Sequence, residues 1–161
     1  MLDDQIHPSP EAEAILRAEG WEPETPVEIA DWVERLSRDG NTVFPAAEAI
    51  LRPFGAVRLD HQDAGGPSEH DFDVNPTHWY DERDRVAGVE YITGIRVCPL
   101  GETSGAAMLA VLEDGRIVAD LDGWILQIAN NWRGALDHFI LGRGQTVLLA
   151  EDYDKPVGPQ N

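Results

Sequence analysis

Cysteine is nearly absent: Cys98 is the single one in 161 residues. An internal disulfide framework is therefore excluded, and so is a zinc site built on clustered thiolates. Cys98 sits in the apolar context Ile95-Arg96-Val97-Cys98-Pro99-Leu100-Gly101, where a thiol packs as a small hydrophobe rather than acting as a nucleophile. Basic residues are also scarce. Twelve Lys and Arg against thirty Asp and Glu give a formal net charge of -18 and a pI near 4.4. Such a chain repels nucleic acid and anionic membrane, so direct binding to either is not expected, and it attracts basic partners. Long apolar runs are missing as well. Ala106 to Leu112 falls far short of the roughly twenty residues that a membrane-spanning helix requires. The start, Met1 to Pro10, has no apolar segment of the secretory type, and a cytoplasmic location is the expectation.

What is present suffices for one domain over residues 1–161, since 42% of the residues are hydrophobic and a chain of this size buries a core without staples. Residues 1–8 and 153–161 read as flexible tails. The clearest local signal is Asp114-Gly115. As a two-residue type I′ turn it makes a hairpin over 107–121, pairing Leu112 with Ile117, Ala110 with Ala119 and Met108 with Leu121 on an apolar face. The opposite face would pair Val111 with Val118 and Leu109 with Asp120, and would be partly wet or lie under a loop. A helix follows, capped by Asn130 and closed at Gly142, with Trp132, Ala135, Leu136, Phe139 and Ile140 at helical spacing.

Three helices are predicted before the hairpin. Ser9-Pro10 opens the first, Ile29, Trp32, Val33 and Leu36 form the stripe of the second, and Pro45 starts a third that Pro53 ends or kinks. Ala56 to Asp60 alternates like a half-buried strand, and Ile95 to Val97 reads as another. Val86 to Ile92 fits neither period, and Gln145 to Asp152 reads as a last strand or a helix extension. Between them, His61 to Asp84 is irregular and rich in Gly, Pro and acids, with Phe72, Val74, Trp79 and Tyr80 as anchors. The elements describe an α+β single domain.

The ordered set Gly20-Trp21-Glu22-Pro23, Pro45-Ala46-Ala47 with Leu51 and Phe54-Gly55, Pro99-Leu100-Gly101-Glu102, Asp114-Gly115-Arg116-Ile117, and Ala135-Leu136 through Leu141-Gly142 resembles the SUKH-3 group of the SMI1/KNR4-like superfamily. Ala56 stands where that family favours a second glycine, Pro53 lies inside the preceding helix, and Thr25 replaces a common arginine. The resemblance implies a central, mainly antiparallel sheet flanked by N-terminal helices and a C-terminal helix. It also implies a bacterial immunity protein that neutralises the toxin of a polymorphic system. The matched residues are fold determinants and identify no binding site.

Catalytic chemistry has little support in the motifs. No Walker loop, G-x-G-x-x-G or G-x-S-x-G occurs, and Ser104 reads as part of a turn. His138 reads as an ordinary helix histidine. His61, Asp63, His70, Asp71, Asp73 and His78 have the side chains for a metal or acid/base site, yet their spacing puts no two imidazoles on one helical face. No catalytic residue, cofactor or metal is expected. Trp32, Trp132 and Trp21 read as core, whereas Trp79 followed by Tyr80, Asp81 and Glu82 has the make-up of an interface anchor and rim, or else pins its loop to the sheet. The expected partner is a cognate protein toxin that is basic, of nuclease type, and held by an acidic surface including Asp71, Asp73, Trp79, Tyr80, Asp81 and Glu82. A small enzyme using loop 61–78, or a general regulatory or scaffold module, are the alternatives. Oligomeric state is not readable.

Overall fold

A computed structural model describes residues 3–60 and 70–151. Within these the elements run α1 (Pro10–Ala18), α2 (Ala30–Arg38), α3 (Pro45–Phe54), β1 (Arg58–Leu59), β2 (Phe72–Asp73), a 3-10 turn (Pro76–Trp79), α4 (Arg83–Thr93), β3 (Val97–Thr103), β4 (Ala107–Leu112), β5 (Ile117–Leu121), β6 (Trp124–Ala129), α5 (Trp132–Leu141) and β7 (Val147–Ala150). The strands form one antiparallel sheet in chain order, so each pairs with its neighbour in sequence. The fold is α+β, as the sequence predicts.

Both faces of the sheet are covered. On one, Cys98, Leu100, Leu109, Val111, Ile117 and Ala119 pack with residues of α1, α2, α3 and α5. On the other, Val97, Met108, Ala110, Leu112, Val118 and Ile125 pack with Trp79 and with Val86 and Val89 of α4. Alternate residues of a strand point to opposite faces, so a strand covered on both sides is apolar at every position; β4 is buried throughout. The larger cluster is organised by aromatics. Trp21 stacks on Phe54 at 4.8 Å, Trp132 meets Phe54 and Phe72 edge-on at 5.6 and 6.2 Å, and Phe72 stacks on Phe139 at 5.0 Å. Offset and edge-to-face pairs of this kind add to the apolar area that they bury.

The hairpin exists at the predicted place in a different register. Leu109 pairs with Ala119, Ala110 with Val118 and Val111 with Ile117. Its loop has three residues, because the N–H of Leu112 donates to the carbonyl of Arg116 and that of Gly115 to the carbonyl of Leu112, both at 2.8 Å. Of Asp114 and Gly115 only Gly115 has positive φ, whereas a type I′ turn needs it at both; one left-handed residue after a tight turn makes the three-residue loop and shifts the pairing by one. The two-residue geometry occurs instead at Asp122-Gly123, with φ of 51° and 97°, joining β5 to a strand, β6, that the sequence reading passes over. Because both faces are covered, the predicted wet face is absent: Leu109, Val111 and Asp120 are buried.

Other boundaries move for local reasons. Asn131, not Asn130, caps α5, its side chain accepting from the N–H of Gly134 at 2.8 Å. The strand predicted over 56–60 shrinks to Arg58–Leu59, and the ambiguous 86–92 belongs to helix α4. Of the run that begins at Gln145, Val147–Ala150 forms strand β7. Residues 3–8 of the predicted N-terminal tail lie against the domain, with Ile6 packed on the core and the Gln5 carbonyl accepting from Arg133. Residues 1–2 and the tail 153–161 are outside the described residues.

Pro53 lies inside the last turn of α3, and its carbonyl accepts from the indole of Trp21 at 2.7 Å. The chain then turns sharply. A Cβ on Gly55 would come within 2.6 Å of the Leu51 carbonyl and 2.9 Å of the Trp32 ring, so glycine is required there. Ala56 takes φ of 67°, the left-handed region, where a Cβ costs about 1–2 kcal/mol. Ala56→Gly removes that cost while adding about 0.4–1 kcal/mol of unfolded-chain entropy. The net expectation is a stabilisation of roughly 0.5–1 kcal/mol, read as a higher urea midpoint at unchanged slope; an unchanged or lower midpoint contradicts a strained Ala56.

Candidate partner-binding site

The segment after residue 69 is built onto the sheet by a bulge in β3. The β3–β4 register slips between Pro99 and Gly101, and β2 comes so close that a Cβ on Gly101 would fall 2.0 Å from the Asp73 carbonyl. This is the physical role of the Pro-Leu-Gly-Glu run. The Asp73 carboxylate accepts from the Glu102 N–H at 3.0 Å, and the Gly101 carbonyl accepts from the indole of Trp79 at 2.6 Å. Asn75 caps the 3-10 turn by accepting from the Thr77 N–H. Trp79 is therefore buried, with 6% of its surface exposed, and the Arg85 guanidinium lies 4.7 Å from its ring centre.

Arg85 carries the next link. Its Nε donates to the Asp120 carboxylate at 3.0 Å and its Nη2 to the Asp120 carbonyl at 2.8 Å, while Asp120 has no exposed surface. Asp120 also accepts from the N–H of Gly123 at 2.8 Å. Helix α4, the Trp79 turn and the Asp122-Gly123 turn thus meet at one ion pair.

The predicted site residues fall into two clusters. In one, His78 bridges two carboxylates, with Nε2 3.1 Å from Asp73 and Nδ1 3.4 Å from Glu102. Asp71 is next to it in β2's approach, its carbonyl accepting from the Thr103 hydroxyl at 2.7 Å. In the other, Asp81 pairs with Arg35 of α2 at 2.6 Å, its N–H donates to Asp39 at 2.9 Å, and Arg35 lies over the Tyr80 ring at 4.7 Å. Burial pushes the Tyr80 phenol up. The Asp81 N–H, aided by Arg35, holds the Asp39 carboxyl below its ordinary range. A depressed aspartate contributes stability above its unfolded value and loses it as the pH falls through the folded one, so this anchoring of loop 80–82 weakens in acid. Glu82 is exposed at the start of α4.

As a catalytic centre the arrangement offers little. The Cys98 thiol is buried and pushed up to about 12 by that burial, which leaves it protonated and inert. His70 is apart from His78, its Nδ1 3.0 Å from the His138 carbonyl of α5. His61 and Asp63 lie outside the described residues. Ser104 is in the turn between β3 and β4, with φ of 56°.

The chain matches the SUKH-3 immunity protein family over residues 8–142. It belongs to that family. Neither curated proteins nor solved structures gave a match. The motifs noted in the sequence take structural roles in this SUKH-3 protein: Gly55 and Gly101 permit close backbone approach, and Pro45 and Gly142 bound helices. Two features escaped the sequence reading. Arg35 holds the predicted Asp81, and Arg85 holds Asp120, each from an element distant in sequence, and the exposed pair Leu121 and Trp124 is set by the second Asp-Gly dipeptide, 122–123, the one signal that could have revealed it.

Asp73, His78 and Glu102 are the trio of described residues whose donor atoms come close enough to hold a metal ion. Each imidazole nitrogen already faces a carboxylate of the protein, and the trio links β2, the 3-10 turn and β3. Purified protein is expected to carry no stoichiometric zinc, and a chelator is expected to leave its melting temperature unchanged, because only a ligand bound to the folded state shifts it. A melting temperature that falls on chelation, and falls no further in His78→Ala, contradicts this.

Proposed function

We propose that this SUKH-3 protein neutralises a basic, nuclease-type toxin by covering its substrate groove with an acidic surface, without catalysis of its own. Family membership supports immunity as the role, and the observation that carries the electrostatic part is the net charge of -18. A groove built to hold phosphates is lined with Lys and Arg. Carboxylates presented by a folded partner can occupy it, and long-range attraction raises association toward about 10⁸–10⁹ M⁻¹s⁻¹ at low salt. No helix among the described residues is long and apolar enough to cross a membrane, and a cytoplasmic meeting with the toxin fits this role.

Within the proposed surface, Asp71, Asp73, Tyr80, Asp81 and Glu82 divide by what they already hold. Asp73 and Asp81 serve internal pairs, Trp79 supports the surface from beneath, and Glu82 and its exposed neighbour Asp84 are the charges most available to a partner. The doubly substituted Glu82→Gln, Asp84→Asn protein should keep its stability within about 0.5 kcal/mol. Against its cognate toxin domain, association should slow several-fold at low salt and the salt dependence should flatten, with little change in dissociation. Unchanged association and salt slope, with tight binding by both proteins, would remove this end of α4 from the interface.

A further inference from the structure

Most tryptophans of this chain lie in the interior, and one does not. Trp21, Trp79 and Trp132 are at most 6% exposed, and Trp32 is partly buried against the core, whereas Trp124 is 52% exposed. Its direct partner in the β5–β6 ladder is Leu121, which is 46% exposed. The two apolar side chains therefore stand side by side. Leu121 follows Ile117 and Ala119 on the face covered by helices, and those two are buried. The helical cover stops short of the hairpin tip and leaves this pair in water.

We propose that Leu121 and Trp124, with Asp122 between them, form the apolar anchor by which the basic toxin is held. This rests on the functional reading above and gives that reading a contact centre. Three observations support it. The first is chemistry: an aromatic and an aliphatic side chain in contact, bordered by charge, is the composition of an interface centre and its rim. The second is rigidity. The tip is a two-residue turn with both residues at positive φ, and Asp120 clamps it by accepting from the Gly123 N–H at 2.8 Å while held in turn by Arg85. A surface fixed before binding loses little freedom on complex formation. The third is charge. The Asp122 side chain is 87% exposed. An exposed carboxylate beside an apolar spot, on a chain of net charge -18, selects a partner whose apolar contact is bordered by Lys or Arg, and it disfavours a second copy of a chain that carries the same excess of acid.

The test uses the full-length protein and a catalytically inactive form of its cognate toxin domain. Affinity and rates are measured for wild type, Trp124→Ala, Leu121→Ser, Asp122→Lys and the control Tyr91→Ala, which alters an exposed aromatic on α4. Thermal melts establish that each variant is folded, and Leu121→Ser carries the test if Trp124→Ala is not. The expected result is a loss of about 30-fold or more in affinity for Trp124→Ala, seen as faster dissociation. Asp122→Lys should slow association, and Tyr91→Ala should bind as wild type does. Tight binding by wild type with unchanged affinity in the folded Trp124 and Leu121 variants overturns the anchor and leaves the immunity role standing. Failure of wild type to bind the toxin overturns the functional reading and the anchor with it. A wild-type dimer in sedimentation that Trp124→Ala converts to monomer overturns it differently, by assigning the patch to a second copy.

Discussion

Asp120 is an aspartate with no exposed surface, and the protein has to neutralise it. Arg85 does so through the carboxylate and the carbonyl of the same residue, and the Gly123 N–H takes a further bond. A buried pair of this kind is worth little against an apolar substitute, but removing one partner leaves a bare charge and costs about 3–5 kcal/mol. Total stabilities of roughly 5–15 kcal/mol make that a large share. The pair therefore fixes where α4 lies on the sheet. Trp79, stacked under the Arg85 guanidinium and bonded to the Gly101 carbonyl, fixes the preceding loop by the same contact.

That node decides what was legible in the sequence. Helix ends are legible where the determinant lies within a few residues, as with Ser9-Pro10, Pro45 and Gly142, although the cap of α5 falls on Asn131 and not on its neighbour Asn130. The two Asp-Gly dipeptides show the limit. Both tolerate positive φ, but whether one or two residues adopt it depends on loop length and flanking pairs, so the register of β4 against β5 slipped by one. Asp120 shows the second limit. A charge in a strand suggests a wet face, and the partner that makes it dry, Arg85, is 35 residues away in the chain. The intramolecular partners of the predicted acids, Arg35 for Asp81 and His78 and the Glu102 N–H for Asp73, are likewise set by tertiary structure and have no signature in the local sequence. Ala56 is a different case: it stands where the family pattern favours glycine, and its φ of 67° supplies the physical reason for that preference.

The distribution of polar groups suits a binding protein. The buried Asp120 is paired and holds elements together, the thiol is sealed in the sheet, and His70 and His78 contact a carbonyl and two carboxylates. Membership in the SUKH-3 immunity family supports the proposed role, and the net charge of -18 is what the proposal of a basic partner rests on. A sheet covered on both faces leaves its hairpin ends, loops and helix starts to meet another protein, and the Arg85 node braces two such features together: the Asp122-Gly123 turn and the beginning of α4.

Hydrogen–deuterium exchange of the protein alone and bound to the inactive toxin domain tests this most directly. The bound state should show added protection at residues 79–85 and 119–125, flanking the Arg85–Asp120 pair, with α1 to α3 unchanged. Protection confined to α1 to α3, or none in a complex shown to form, would contradict a toxin-binding surface built around that pair.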